Sequence, residues 1–325
     1  MKPATMRYFD SIHALLQAID VWKDGRADKI SAQITASMMK AQGSAPTPAD
    51  LSRGAIFLLE RAEPYFLDGE IQEWIMDSMD SFPHDICIRD VLPPSNMGWI
   101  LFERPIMGTV EQAYNSFSGG WAALAWSTTD KWIPNPERDK WIPNPESDQD
   151  FPIVALDYYH RTDDGYLLLA SSQRWPFHQS LSDWEEAQVV EGDFFGHQKT
   201  EVDHRKMMMA YYFVISLFAF MNQPFSTVES RRLPRSSRRK LQRETGIEDP
   251  MINVISLRRA QHTNGQSKGG SREWSSRWLV KGHWRSQYYP SKKKNTPLWI
   301  MPYVKGPQDK PLKSRNGISL FHVTR

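Results

Sequence analysis

The sequence predicts an α+β fold, with helices concentrated in the N-terminal part and antiparallel strands concentrated in the C-terminal part. Apolar residues recur at helical spacing near the start of the chain, whereas short strand-like segments separated by Gly, Pro and Asn follow residue 250. Hydrophobic residues make up 40% of the 325 residues and aromatic residues 12%, which is enough apolar material for a packed core.

The N-terminal elements come first. Residues 6–42 and 51–82 are predicted to be mainly helical, because turn and capping residues in PTPADLSRG precede the apolar pattern of the second segment. The break VLPPSN (91–96) then introduces a predicted strand, MGWILFERPI (97–106).

A tandem repeat occupies residues 130–147, where DKWIPNPER is followed by DKWIPNPES. Two prolines in each nine-residue copy forbid a helix and disfavour a central strand. We interpret the segment as an exposed, duplicated loop. The alternative is an extended peptide in which the repeated Trp-Ile-Pro binds a groove.

The next elements are a hairpin and a long helix. FPIVALDYYHRT (151–162) and GYLLLASSQRWPF (165–177) flank the turn DDG, and Asp-Gly at such a place is a strong hairpin indicator. A helix is predicted over about 197–222. Its apolar run MMMAYYFVISLFAFM is too short to cross a bilayer, which takes about 20 residues, so we expect a buried core helix.

The composition changes after residue 225, which suggests two parts. Residues 1–225 form an acidic α+β body, and residues 226–325 form a basic linker plus a β-rich module that is separate or packed into the same fold. RRLPRSSRRKLQRETG (231–246) is interpreted as a linker, a solvated helix end, or a basic arm that orders on nucleic acid. The strands predicted after it are 251–259, 275–289, 297–304 and 317–323.

The net charge of +2 conceals a strong asymmetry. Residues 226–325 contain 22 Lys and Arg against 6 Asp and Glu, a net of +16, and the remainder has 18 against 32, a net of −14. Such asymmetry favours a polyanionic partner for the basic part. The alternative is that the acidic and basic parts dock on each other and neutralise one another.

The segment RWLVKGHWRSQYY (277–289) carries the most specific pattern. In one strand, alternation would place aromatic residues on a buried face and cations on the other face. Without a ligand, this face would simply be solvated. Phosphates would suit it better, because every charge in the row is positive. The predicted nucleic-acid-binding residues are Arg258, Arg259, Arg277, Lys281, Arg285, Gln287, Lys292, Lys293 and Lys294.

An enzymatic alternative is a metal-independent RNA-cleaving protein with His283 as proton carrier. The second carrier would be His262, His322 or a tyrosine. DYYHRTDDG offers Asp157, His160, Asp163 and Asp164 as metal ligands, but an ordinary hairpin turn is favoured there. The motifs GxxxxGK[ST], HExxH, GxSxG and GxGxxG are missing from the sequence, and we predict neither a metal nor a cofactor.

The C-terminal segment RWLVKGHWRSQYYPSKKKNTPLWIMPYVKGPQDKPL (277–312), after VISLRR (254–259), resembles the end of a family of hypothetical proteins of actinobacteria and their phages and plasmids. Members also have a segment similar to LPPSNMGWILFERPI (92–106). The resemblance implies a mobile-element or actinobacterial setting and no mechanism. The matching residues are Gly282, His283, Trp284, Arg285, Gln287, Trp299, Ile300, Pro302, Tyr303, Gly306 and Pro307.

The sequence therefore predicts a nucleic-acid-binding protein that contacts phosphates through a C-terminal basic sheet face. RNA cleavage by His283 is one alternative, and a protein-interaction module whose acidic body masks the basic part is another. The single cysteine, Cys87, and the lack of an apolar N-terminal run favour a cytoplasmic protein without membrane association.

Overall fold

The computed structural model describes residues 7–25, 48–106, 120–128, 132–134, 141–143, 153–162, 165–176, 180, 182–183, 201–257, 275–307 and 309–311. The helices are α1 (Ser11–Lys23), α2 (Pro48–Arg61), α3 (Gly69–Ser78), α4 (Glu201–Met221) and α5 (Arg235–Thr245). The strands are β1 (Glu63–Leu67), β2 (Met97–Ile106), β3 (Trp121–Ser127), β4 (Trp132–Pro134), β5 (Trp141–Pro143), β6 (Ile153–Arg161), β7 (Leu167–Pro176), β8 (Ser226–Arg232), β9 (Met251–Leu257), β10 (Trp278–Val280), β11 (His283–Tyr289), β12 (Lys294–Ile300) and β13 (Tyr303–Lys305).

Seven strands form the main sheet, in the order β7-β6-β3-β2-β1-β9-β8. Strand β1, the fifth in this order, runs parallel to both of its neighbours, β2 and β9, and the other adjacent strands are antiparallel. The strands β8 and β9 belong to the basic part of the sequence, yet they extend the sheet that contains β1. The α+β class is confirmed, with three α-helices among the described residues before 80 and antiparallel strand pairs toward the C-terminal end.

Helices and a hairpin cover both faces of this sheet. The first core joins one face to α3, α4 and the β11–β12 hairpin, and Phe218, Trp284 and Trp299 belong to it. The second core joins the opposite face to α1, α2 and α5, and Leu59 and Leu241 belong to it. Helix and hairpin layers on both faces explain why the inner strands consist largely of apolar residues.

The predicted hairpin and long helix are confirmed. Strands β6 and β7 pair antiparallel, and Gly165 at the turn has a φ of +87°. In α4, every residue from Phe213 to Met221 is buried, so this helix is apolar on all sides because core surrounds it. Among the described residues, no helix is long and apolar enough to cross a membrane.

Residues 51–82 are mainly helical, as predicted, because α2 and α3 lie in this range, but the prediction missed strand β1 between them. Pro64 disfavours helix, and Tyr65, Phe66 and Leu67 are buried between β2 and β9. Tyr65 and Leu67 belong to the first core and Phe66 to the second. A short strand buried on both faces lacks alternation of apolar and polar residues, so the helical pattern around it concealed it.

The segment 275–289 is two strands where the sequence predicted one. Strand β10 pairs with β13, whereas β11 pairs with β12, and Lys281 and Gly282 separate them. The predicted buried face therefore holds only in part. Trp284 is buried, but Ser286 and Tyr288 are exposed.

Residues 231–246 form the end of β8, a two-residue turn and α5, instead of a linker or a disordered arm. Leu233 and Leu241, which are buried in the second core, anchor this segment. The predicted strand 317–323 lies outside the described residues.

The tandem repeat forms its own strand pair. Strands β4 and β5 are the Trp-Ile-Pro triplets of the two copies, and they pair antiparallel with Ile133 opposite Ile142. The sequence predicted a loop here. The prolines are compatible with pairing because each strand has only three residues and lies outside the main sheet.

Candidate nucleic-acid interface

Two tryptophans fix the β11–β12 hairpin to the first core. Trp284 and Trp299 lie directly opposite each other, their ring centroids are 5.3 Å apart, and each is 4% exposed. Phe82 meets the Trp284 ring edge-to-face at 5.3 Å, and Phe220 in α4 meets the Trp299 ring at 5.9 Å. Aromatic pairs of this geometry add attraction beyond the area that they bury. The hairpin is therefore a rigid platform.

Hydrogen bonds hold both outer edges of the hairpin. Gln223, buried after α4, accepts a bond from the Trp299 backbone N–H at 3.1 Å and donates one to the Pro297 carbonyl at 3.1 Å. On the other strand, the Trp284 N–H donates to the Ser81 hydroxyl at 3.0 Å. The side chains of Gln223 and Ser81 thus hydrogen-bond to backbone groups at the hairpin edges, which a neighbouring strand would pair in a larger sheet.

Two glycines near β10 occupy positions that other residues would not tolerate, and Gly282 lies at the break between β10 and β11. A Cβ atom on Gly282 would lie 2.4 Å from the Trp299 ring, so only glycine lets the chain pass this close. Gly306, after β13, has a φ of +117°, which other residues rarely adopt. Both belong to the segment that carries the family resemblance, and their role here is structural.

The outward face of the hairpin is built by the alternate residues. It consists of His283, Arg285, Gln287 and Tyr289 from β11 and Lys294, Thr296, Leu298 and Ile300 from β12. The Arg285 guanidinium donates to the Gln287 side-chain oxygen, and this hydrogen bond orients the guanidinium. Leu298 lies opposite Arg285 and is half-buried, so the polar face has an apolar floor.

The predicted cations occupy different environments. Lys281 and Arg285 are exposed and form no salt bridge with any residue that the structure describes. The same holds for Lys292 and Lys293 in the turn, where the Lys292 ammonium lies 5.6 Å from the centre of the Tyr289 ring. Arg277 is half-buried, and its Nε donates to the Lys310 carbonyl at 2.8 Å, which fastens the chain beside β10.

The acidic body reaches only the end of this hairpin. Asp90 pairs with Lys294 at 2.5 Å, and Asp85 accepts a hydrogen bond from Asn295 at 3.2 Å. Within the described ranges, Asp90–Lys294 is the one salt bridge between residues 1–225 and 226–325. Among the described residues, the acidic part thus forms an ion pair with Lys294 at the end of the hairpin and with no other cation of its outward face or of β11.

Arg258 and Arg259, which the sequence also predicted as phosphate contacts, lie outside the described residues. So do His262 and His322, the two histidines named as second proton carriers.

His283 has a defined ring orientation. Its Nδ1 lies 3.0 Å from the Lys281 carbonyl oxygen. Because a carbonyl only accepts, this bond requires the proton on Nδ1, and the lone pair is then on Nε2. The residue opposite on β12 is Ile300, which cannot transfer a proton. On the described outward face, His283 thus stands beside cations and an apolar residue.

The other chemistry-bearing residues do not assemble a site. Asp157 and His160 are buried in β6, and burial lowers the pKa of His160 to about 4 because the imidazolium would lose its hydration. Asp163 and Asp164 lie outside the described residues. Burial raises the pKa of the Cys87 thiol, which disfavours the reactive thiolate. The described part of the chain holds no group of three His, Cys, Asp or Glu arranged for a metal.

A second cationic surface is absent from the predicted site residues. Helix α5 exposes Arg235, Arg239, Lys240 and Arg243. The sequence alone could have indicated this surface, because three of these residues recur every fourth position and therefore share one face of a helix. The prolines and serines nearby instead suggested a linker.

Taken together, the fold and the hairpin define an α+β protein with a mixed sheet covered on both faces and a basic two-stranded platform on one side. Searches against protein-family models, curated proteins and solved structures find no significant match.

Proposed function

We propose that this protein binds nucleic acid through the outward face of the β11–β12 hairpin. Lys281, Arg285, Lys292 and Lys293 contact phosphate oxygens, and Gln287 holds the Arg285 guanidinium in position. The mobile-element setting implied by the resemblance, and a cytoplasmic location, remain predictions.

One observation carries this proposal. These four cations are exposed and form no salt bridge with a described residue. Arg285 lies on the outward face, Lys281 precedes β11, and Lys292 and Lys293 lie in the turn. Trp284 and Trp299 fix the other face of the hairpin. Cations on a rigid platform bind polyanions well for two reasons. Release of counterions from the nucleic acid drives association, and a backbone that is already ordered loses little conformational entropy on binding. Arg285 adds a forked donor geometry that matches phosphate.

Tyr289 supplies an aromatic ring on this face that can stack with an unpaired base. It lies on the outward face with Arg285 and is half-buried, whereas Tyr288, which is 54% exposed, points from the same strand to the opposite face. Base–aromatic stacking contributes about 1–3 kcal/mol per base in single-strand binding. We therefore expect single strands to bind at least as tightly as duplexes of equal length.

The test is a binding titration with fluorescently labelled single- and double-stranded DNA and RNA over a salt series. The quadruple variant K281Q/R285Q/K292Q/K293Q should lower the slope of log K against log salt by about 3 to 4, since each phosphate contact contributes about 0.7–0.9.

A matched control removes four cations from the acidic body, in the variant K23Q/R53Q/R61Q/R104Q. It changes the net charge equally and should leave binding nearly intact. Equal losses in both quadruple variants would show that net charge alone matters and would refute an interface at the hairpin.

RNA cleavage by His283 is a second candidate, favoured by the contact of Nδ1 with the Lys281 carbonyl, which orients the ring. Incubation of labelled RNA with the protein in EDTA should give cleavage products that disappear in His283→Gln. Intact RNA, or cleavage unchanged by the substitution, eliminates this candidate without affecting the binding proposal.

A further inference from the structure

Helix α5 is firmly positioned although most of its surface is polar. It follows β8 through Leu233 and Pro234 and ends at Gly246, whose φ of +74° provides a left-handed C-cap. Leu241 is fully buried, and with Leu233 it anchors the helix in the second core. The remaining helical surface faces solvent.

The exposed face of α5 is a cationic arc. Arg235, Arg239 and Arg243 recur every four residues, and Lys240 lies beside them. At about 100° per residue, these four span an arc of about 140° centred opposite Leu241. All four are exposed, and none forms a salt bridge with a described residue.

The neighbouring arginines are neutralised, in contrast. Asp249 accepts from Arg232 and from Arg238, each at 3.0 Å, and Glu229 pairs with Arg231 at 2.9 Å. Acidic partners are therefore present around α5, but they hold the arginines at its sides. The arc itself is left uncompensated.

This charge pattern opposes helix stability. Arg235–Arg239 and Arg239–Arg243 are like-charge pairs at i,i+4, and Arg235 lies in the first turn, where the helix dipole disfavours a cation. The first turn contains no acidic residue, and Pro234 provides no side-chain cap. The favourable contributions are fewer. Arg243 bonds to the Arg239 carbonyl at 3.1 Å and lies in the last turn, where the helix dipole favours a cation, and Glu244 follows Lys240 at i,i+4. Departures from local stability rules mark functional surfaces.

The arc and the hairpin lie on opposite sides of the main sheet, because Leu241 packs into the second core and Trp284 and Trp299 pack into the first. Strand β8 separates them further. At the start of β8, the Ser226 N–H bonds to the carbonyl of Gln223, whose side chain holds β12. The other end of β8 leads into α5. The two ends of this seven-residue strand are about 20 Å apart.

We propose that α5 is a second phosphate-binding surface, so that one molecule holds two separate nucleic-acid segments, one on each side of the sheet. The two-segment part rests on the hairpin interface proposed above, whereas binding at α5 stands independently of it. The occupant is a nucleic-acid backbone, since the arc offers closely spaced guanidinium groups, whose forked donors match phosphate oxygens.

A membrane surface fits the arc less well. An interfacial helix buries an apolar stripe next to its cations. In α5 the one aliphatic side chain, Leu241, points into the core, and the exposed face of the helix is entirely polar.

The first measurement is salt-dependent binding of a labelled 30-base-pair DNA duplex to the full chain. We compare R235Q/R239Q/K240Q/R243Q with the hairpin variant K281Q/R285Q/K292Q/K293Q and the control K23Q/R53Q/R61Q/R104Q. Each of the first two should retain binding, with affinity reduced roughly tenfold or more and a smaller salt slope. The α5 variant should unfold at the same temperature as the unmodified protein or higher, because like-charge repulsion is removed.

The second measurement is bridging, in which a bead-bound duplex captures a second, fluorescent duplex in the presence of protein. Unmodified protein and the control should bridge, and both the α5 and hairpin variants should lose at least about tenfold of the captured signal. A homodimer that bridges through two hairpins would still bridge when α5 is neutralised, and that outcome overturns the proposal.

The outcomes separate the two proposals. If the α5 variant binds and bridges like the unmodified protein, α5 is refuted while the hairpin stands. If only the α5 variant loses binding, the hairpin interface is refuted and α5 is the nucleic-acid site. Unmodified protein that binds no nucleic acid refutes both. Loss of binding to phosphatidylserine vesicles in the α5 variant, with unchanged DNA binding, would identify α5 as a membrane contact instead.

Discussion

The β11–β12 hairpin and helix α5 present cations in two different ways. In the hairpin, inward and outward residues alternate, so Trp284 anchors the strand next to the exposed Arg285. In α5, one leucine anchors eleven residues and the cations occupy the opposite arc. The hairpin is thus deeply anchored with few cations per strand, whereas the helix is lightly anchored and densely charged. In both regions, buried apolar residues stabilise the element and different, exposed residues carry its charge.

The largest effect should come from the anchor of the hairpin. Trp299→Ala removes a buried ring that touches Trp284 and Phe220, and we expect unfolding to become easier by about 3–5 kcal/mol in urea titrations. The matched control is Tyr288→Ala in the same hairpin, which removes a side chain that is 54% exposed and should cost less than about 1 kcal/mol. Equal losses would show that Trp299 is not the anchor.

Acid should affect the sheet that supports both regions. The pKa of His160 is lowered by burial to about 4, below the value of about 6.5 of an unfolded histidine. The unfolded chain therefore binds the proton more readily, and stability is fully present above pH 6.5 and is lost as the pH falls toward 4. The loss should reach about 3 kcal/mol.

The test of this pH effect compares His160→Gln with the unmodified protein. His160→Gln should flatten the dependence of the unfolding free energy on pH between 4 and 6.5. A slope that persists in His160→Gln would assign the acid sensitivity to other groups.

The anchor of α5 should be weaker than that of the hairpin. Leu241→Ala should lower the unfolding free energy by about 2–4 kcal/mol, with hydrogen exchange accelerated mainly in α5. Gln242→Ala, one position further and exposed, is its control and should change stability by less than about 0.5 kcal/mol. Faster exchange in β11–β12 than in α5 would contradict the separation of the two anchors.

The smallest effect concerns the carboxylate shared by Arg232 and Arg238. Asp249 has a φ of +42°, which asparagine also tolerates, so Asp249→Asn removes charge and little else. Stability should fall by at most about 1 kcal/mol, because both pairs are partly exposed and screened. Duplex affinity should rise, since two arginines are freed.

Asp309→Asn makes the same charge change near Lys310, far along the chain from α5. If both substitutions strengthen duplex binding equally, the gain reflects overall charge and not the arginines at α5.

The sequence alone predicted secondary-structure elements correctly where a periodic apolar pattern ends at a chain-breaking residue. The β6–β7 hairpin, strand β2 and helix α4 were predicted because Asp-Gly, Pro-Pro and Pro224 mark their limits. Strand β1 was missed because its neighbours β2 and β9 are distant in sequence, and only their pairing makes it a strand. Its pattern alone resembles a continuation of helix.

The candidate site was predicted in part for a similar reason. Alternation correctly separated Trp284 from Arg285, but it assumed one unbroken strand from 277 to 289. The break depends on the Trp299 ring packing over Gly282, a contact between residues 17 positions apart that local pattern does not show. For 231–246 the sequence left a linker, a solvated helix end and a basic arm as alternatives, because Pro and Ser interrupt its charges, so the residues of the α5 arc were not predicted individually.

The pairing of β4 with β5 has a consequence for how such a chain tolerates duplication. Backbone groups of an added segment need partners, and an insertion usually obtains them from water or from an existing sheet edge. Here the second copy of Trp-Ile-Pro supplies the ladder for the first, and neither joins the seven-stranded sheet. The two copies of the repeat thus provide each other's backbone hydrogen-bonding partners, and the main sheet need not change to accommodate the extra nine residues.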